Sequence, residues 1–286
     1  MAQIVFAAGA PHAPAMVGLF DKAPPESQKV VSDTFAAIKK QLEATRPDVL
    51  FVFANDHLSN SRITFYPDFL IGMAAEHSGP HEWFQEWIDC RKYVAKGNPE
   101  VAKALFQGMT RRGIRMVAKH ENLNFDDNLS VPVVMTDLDQ SDITIVPILQ
   151  NCTVPPFPDA QKCFEVGKAM ADFIANDLPA EMRVGLLGSG GLSHEPGGAK
   201  YFKIDEEFDR AFLALCEAGD HERLLREMTV ERMEAAGVGG TAEVLSWFPV
   251  MAAIGELPGR SFGYTGWPSF RCGVGGVIWD LDANKR

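Results

Sequence analysis

The chain of 286 residues is poor in cysteine, and the five it has, Cys90, Cys152, Cys163, Cys216 and Cys272, are scattered and nowhere spaced as CxxC. An odd, dispersed set argues against a disulfide framework or a zinc–thiolate site and leaves small buried hydrophobes. Positive charge is also short: 27 Lys and Arg stand against 38 Asp and Glu, a formal net charge of -11. Nucleic acid or an anionic membrane would be repelled, so a small molecule or a protein is the expected partner. The opening MAQIVFAAGAPHAPAM has no basic stretch, and Pro11 and His12 cut its short apolar run. Neither a signal peptide nor a membrane span is expected, and a cytoplasmic location follows by default. Three familiar motifs are missing too. No serine sits in GxSxG, HEWFQ lacks the second histidine of HExxH, and GLLGSGGLSH places Ser193 where the third glycine of GxGxxG would fall. A serine hydrolase elbow, a zincin helix and a dinucleotide loop are thereby disfavoured.

What is present is an alternation of strand and helix. Gln3 to Ala8 reads as a buried strand, and Glu26 to Thr45 as a helix with Val31, Phe35, Ile38 and Leu42 at helical spacing. Val49 to Ala54 is the next strand. Strand-like ITFY near Ile63, helical Pro99 to Arg112, RMVAKH, a short helical NLSVPVVMTDL, the strand ITIVPIL, a helix over Asp159 to Asn176 and the strand RVGLLG continue the pattern. Helical IDEEFDRAFLAL, HERLLREM and TAEVLSWFPVMAAI follow, then strand-like FGYT and VGGVIWD. The order predicts an α/β fold, a central mixed sheet flanked by helices, in one large domain over residues 1–286. The segment from His77 to Gly97, with Trp83, Phe84, Trp87 and Tyr93, reads as a lid over a site or as packed surface structure.

In open α/β sheets ligands bind beyond the carboxyl ends of the strands. His12 follows the first strand, His57 follows FAND, and His194 follows RVGLLG, so three of the seven histidines fall at one rim. Pro11 and Pro14 restrict the backbone around His12. Asp56 is placed either to brace His57 or to cap the turn after it. Glu243, two residues after Thr241 as a candidate N-cap, suits a helix start through the dipole alone. Two imidazoles and a carboxylate are also the donor set that holds Fe(II) by one face, and one that suits Zn(II). The glycines of GSGG let backbone approach a ligand and set His194 at the cavity wall. His120, after RMVAK, is a candidate substrate contact. Ser189 has no obvious base partner. Phe125, Trp247, Phe248 and Trp267 are candidates for a ring pocket, and Lys200, Arg260 and Arg271 for binding a substrate carboxylate.

PHAP with His12, NDH with His57, GSGGLSHEPGG with His194, IDEEFDRAFL, and AGVGGTAEVLSW with Glu243 together resemble the class III extradiol ring-cleavage dioxygenases of the protocatechuate 4,5-dioxygenase β-subunit type. The resemblance implies Fe(II) held by His12, His57 and Glu243, His194 as the acid/base, and a small aromatic or heteroaromatic diol and O2 as substrates. Relatives of that type work as homo-oligomers or with a separate small α subunit. One departure stands out: a second active-site histidine of the family is replaced by Asp127 in FDDNLSVP. Asp127 is then a candidate catalytic and substrate-binding group, suited to a ring N–H such as that of a hydroxypyridone or dihydroxypyridine, or else the cap of the next helix. A Zn-dependent hydrolase with the same ligands and a non-catalytic binding protein on the same scaffold are the competing readings.

Overall fold

A computed structural model describes residues 1–282. Ten strands run in chain order: β1 (Gln3–Ala10), β2 (Val49–Asn55), β3 (Phe69–Gly72), β4 (Glu76–Gly79), β5 (Tyr93–Lys96), β6 (Val117–Lys119), β7 (Thr144–Gln150), β8 (Arg183–Ser189), β9 (Gly259–Ser261) and β10 (Val277–Trp279). Eight form one mixed sheet in the order β6-β3-β7-β2-β8-β1-β10-β9, and β4 and β5 pair separately as a hairpin. The four central strands β7, β2, β8 and β1 are parallel. Every residue of β2 is buried, the signature of a central strand covered on both faces, and its unbroken VLFVFA run reflects that.

Helices cover each face, so the predicted α/β architecture with a central mixed sheet holds in a single domain. On one face, Val31, Phe35, Ile38 and Leu42 of the helix Pro25–Thr45 join Leu129, Val131 and Val133 of the helix Asp127–Thr136. On the other, the helices Pro99–Arg111, Ala160–Asp177, Glu206–Ala218 and Phe248–Ile254 bury Leu105, Phe173, Phe212 and Met251. Among the described residues no helix is long and apolar enough to cross a membrane.

Two strand expectations fail. ITFY is a tight turn closed by the Arg62–Phe65 bridge, and the strand comes later as β3. Its β-prone residues are solvent-facing, Ile63 and Phe65 being 69% and 68% exposed, so no sheet face selects them. FGYT contributes only the Thr265–Val274 bridge, while the edge strand β9 lies just before it. The stretch from His77 to Gly97 is the β4–β5 hairpin with the helix Glu82–Ile88 inserted between its strands.

Parallel alignment has one consequence for function. The carboxyl ends of β1, β2, β7 and β8 lie at the same edge, and the loops after them carry His12, His57, Thr153 and His194 to one place.

Candidate active site

A cavity of about 520 Å³ opens at that edge, lined by His12, His57, Asp126, Asp127, His194 and Glu243 at its polar end. Its size falls in the ordinary range for small-molecule sites. Glu243 lies on the 3-10 segment Thr241–Trp247, which packs against the ends of β1 and β8 so tightly that side chains are excluded there. A Cβ on Gly9 would stand 2.3 Å from the Trp247 ring, and one on Gly190 would stand 2.2 Å from the Glu243 carbonyl oxygen. These glycines therefore serve to seat the carboxylate.

Three imidazoles converge on that one carboxylate. His12 Nε2 is 2.9 Å from Glu243 Oε2, and His57 Nε2 is 3.0 Å and His194 Nε2 3.3 Å from Oε1. The Gly191 N–H donates to Oε2 at 3.0 Å. Behind each histidine a second contact fixes the ring. The Ser189 hydroxyl donates to the Asn128 carbonyl at 2.7 Å, so toward His12 Nδ1, 3.0 Å away, it acts as acceptor. His12 Nδ1 is then the donor of that pair, and Nε2 is left facing a carboxylate oxygen. That nitrogen is buried and, although 2.9 Å from Oε2, makes no aligned hydrogen bond, a placement that suits a cation held between the two donors. His57 Nδ1 lies 3.1 Å from Asp126 Oδ1 and 3.2 Å from Asp127 Oδ1, leaving its Nε2 directed at Glu243. His194 Nδ1 donates to the Leu192 carbonyl at 2.8 Å. One ligand atom each from His12, His57 and Asp127 also fall within 4.8 Å of one another. Two imidazoles with an adjacent carboxylate fit a divalent first-row ion.

The electrostatics are those of a concentrated, buried charge cluster. Burial works to raise Glu243, but His194, His12 and His57 hold it well below the usual glutamate range. Burial works to lower His57 and His194, yet both are held well above the ordinary histidine value, His57 by Asp126, Asp127 and Glu243, His194 by Glu243 and the nearby Cys272. The adjacent carboxylates are driven apart. Burial would raise Asp126, but His57 and the Asn128 N–H keep it below its ordinary value; Asp127, raised by burial, is held up further by the Asp126 charge.

Residues 6–275 match the family described as the catalytic LigB subunit of aromatic ring-opening dioxygenase. The chain belongs to that family. A 2,3-dihydroxyphenylpropionate/2,3-dihydroxicinnamic acid 1,2-dioxygenase of Photorhabdus laumondii is 27% identical over 203 residues, 71% of this chain and 60% of that protein. Its counterpart from Rhodococcus rhodochrous is 26% identical over 275 residues, 81% of this chain and 83% of that protein. The chain thus spans about three fifths of the first of these relatives and most of the second. The crystal structure of the uncharacterized protein JW3007 from Escherichia coli K12 is similar in fold, with a TM-score of 0.50 at 16% identity, covering 85% of this chain and 91% of that one.

Within this LigB-family fold, His12, His57, His194, Glu243 and Asp127 come together as the sequence suggested, but His120 does not. It is exposed just past the short strand β6, separated from β2 by the two strands β3 and β7 in the sheet order, and is absent from the cavity lining. Asp56 does not brace His57: its Oδ1 accepts from the Asn60 backbone and side chain. That role belongs to Asp126, fully buried, which also accepts from the Asn128 N–H as the helix cap and from Ser59. Asp127 is therefore not the cap. Thr241 caps nothing and instead bonds the His194 backbone. Ser189, which looked partnerless, is the support of His12. Phe125, Trp247 and Phe248 belong to the core, and Trp267 does not line the cavity, whose aromatic walls are Trp83, Trp87, Tyr201 and Phe270. Of the two readings of the segment from His77 to Gly97, the one that sets it beside a site fits better, since its helix brings Trp83 and Trp87 to the cavity wall.

Proposed function

We propose that this chain is a non-haem Fe(II)-dependent extradiol dioxygenase, adding both atoms of dioxygen to open a ring that bears two adjacent hydroxyls, or the corresponding hydroxypyridone or dihydroxypyridine. The observation that carries the reading is the convergence of the buried His12 Nε2, which makes no aligned hydrogen bond, and of His57 Nε2 on the two oxygens of the Glu243 carboxylate. His12, His57 and Glu243 would hold the ion. Asp127 is the less suitable carboxylate, because it approaches His57 at Nδ1, the nitrogen that Asp126 already engages. When bound, Fe(II) supplies the Lewis acidity that favours ionised diol oxygens and the redox chemistry that the spin-forbidden reaction of an aromatic ring with dioxygen requires.

The remaining work falls to this chain's side chains. His194 keeps Nδ1 occupied by the Leu192 carbonyl and turns Nε2 toward Glu243 and the cavity, so Nε2 is the atom that would take a hydroxyl proton, once a bound cation offsets the Glu243 charge that favours the protonated ring, and later return it. Trp83, Trp87, Tyr201 and Phe270 wall the ring and exclude water from the reacting atoms. Asp127, held protonated more readily than its neighbour, stands beside His57 to exchange a hydrogen bond with a ring N–H or hydroxyl.

The adjacent diol is carried over from the relatives, whose names specify 2,3-dihydroxyphenyl substrates. Within the family, GSGGLSHEPGG and IDEEFDRAFL support the protocatechuate 4,5-dioxygenase β-subunit type. We place the enzyme in the cytoplasm and as a homo-oligomer, the latter because half-exposed Trp83 and Trp87 beside the cavity are surface that an interface would cover. The test is oxygen consumption by the Fe(II)-reconstituted chain across catechol, protocatechuate, gallate, 2,3-dihydroxyphenylpropanoate and a dihydroxypyridine. Iron-dependent uptake with a ring-opened product supports the proposal. Air-stable, zinc-dependent hydrolysis without oxygen uptake would replace it with the hydrolase reading, and silence with iron bound would leave a binding protein.

A further inference from the structure

One cation of the cavity lining is unaccounted for. Arg271 is the single Lys or Arg among the lining residues. Its guanidinium stacks over Tyr201, 4.7 Å from the ring centroid, with Phe202 at 5.7 Å, and Nη1 donates to the Tyr201 hydroxyl. Its Nε–H is buried without a hydrogen-bond partner, and among the described residues no Asp or Glu pairs with it. The other cations that could have served are spent elsewhere: Lys200 Nζ donates to the Ala235 carbonyl, and Arg260 lies over Phe262.

A guanidinium held over an aromatic ring and bonded to its hydroxyl, with no carboxylate of the described residues to neutralise it, is positioned to take a substrate carboxylate. The cation site proposed at His12, His57 and Glu243 takes the diol oxygens, and Arg271 is the one Lys or Arg of the lining left to a further anionic group. We propose that Arg271 is the specificity residue of this site and selects an aromatic substrate that carries a carboxylate. The inference rests on the diol-cleaving reading for its chemistry, but the anion site stands or falls by binding alone.

The experiment is anaerobic calorimetry on the Fe(II)-loaded full chain with two pairs of ligands that lack ring hydroxyls: benzoate against benzyl alcohol, and phenylpropanoate against phenylpropanol. The acid of at least one pair should bind about 10- to 100-fold more tightly than its alcohol, as expected for a charge-assisted hydrogen-bonded contact. Arg271→Gln should abolish the preference and leave the alcohols unchanged, while Arg271→Lys should retain part of it. Arg271 has φ 60, a conformation equally strained for Arg, Gln and Lys, so the backbone does not bias the comparison. In turnover, Arg271→Gln should raise KM for a carboxylated diol by a similar factor and spare catechol. Equal affinity of the unsubstituted chain for acid and alcohol, or an acid preference that survives in Arg271→Gln, overturns the proposal. An acid preference without oxygen uptake on any diol would keep the anion site and discard the dioxygenase.

Discussion

Replacing Asp126 by Asn tests whether the site is held from behind as well as from the front. Asp126 is fully buried; its Oδ1 lies 3.1 Å from His57 Nδ1 and also accepts from the Asn128 N–H, and its Oδ2 accepts from Ser59. Asn keeps the shape and the carbonyl acceptor but removes the charge. A hydrogen bond to a charged group contributes about 1.5–3 kcal/mol, and loss of such an outer partner typically weakens metal binding about 10- to 100-fold. The two scales agree, since about 1.4 kcal/mol is tenfold. Asp127 Oδ1, 3.2 Å from the same nitrogen, is positioned to compensate, so Asp126→Asn should fall at the tenfold end. Asp127→Asn alone should cost less, and the double variant should lose more than the sum of the two, because each carboxylate covers for the other. The assay is Fe(II) competition against a chromophoric chelator under anaerobic conditions, with unfolding curves to separate folding from binding. Unchanged iron affinity in the double variant would refute the claim that His57 is oriented by this pair.

Other consequences follow from neighbouring residues. His194→Ala should keep its iron yet lose about a hundred- to ten-thousandfold in turnover, read as kcat with metal content measured on the same sample. Gly190→Ala should destabilise the fold by about 1–3 kcal/mol through overpacking and weaken iron binding with it, because the new methyl meets the Glu243 backbone at 2.2 Å; denaturant unfolding beside the chelator assay checks both. His77 is fully buried, both its ring nitrogens lack partners, and burial lowers its pKa from 6.5 to about 4. Between those values the unfolded chain binds a proton the folded one refuses, so the stability present above the unfolded value is lost as pH falls, on the order of 3 kcal/mol by pH 4. His77→Leu should flatten the pH dependence of unfolding in that window.

The strands and helices that carry the fold were readable because their patterns are unambiguous. VLFVFA and RVGLLG are short apolar runs of strand length, and Val31, Phe35, Ile38 and Leu42 recur at the spacing of one helix face. Parallel strand order then brought His12, His57 and His194 to one edge. The errors have physical sources. ITFY and FGYT have strand composition without a sheet face to bury, and His120 follows an edge strand, so its place after a strand did not put it at the central switch of the sheet. Asp126 was hidden because two adjacent aspartates read alike, and only the turn geometry decides which one caps and braces His57. Ser189 and Arg271 gain their meaning from residues 177 positions away in one case and 70 in the other, distances that no local pattern encodes.

The most direct test of the central claim is iron content after anaerobic dialysis of four variants, His12→Ala, His57→Ala, Glu243→Ala and His194→Ala, against limiting Fe(II). The account predicts that the first three lose tightly bound iron and that His194→Ala retains it at the level of the unsubstituted chain. Iron retained by any of the first three, or lost from His194→Ala, would contradict the assignment of ligands and proton carrier.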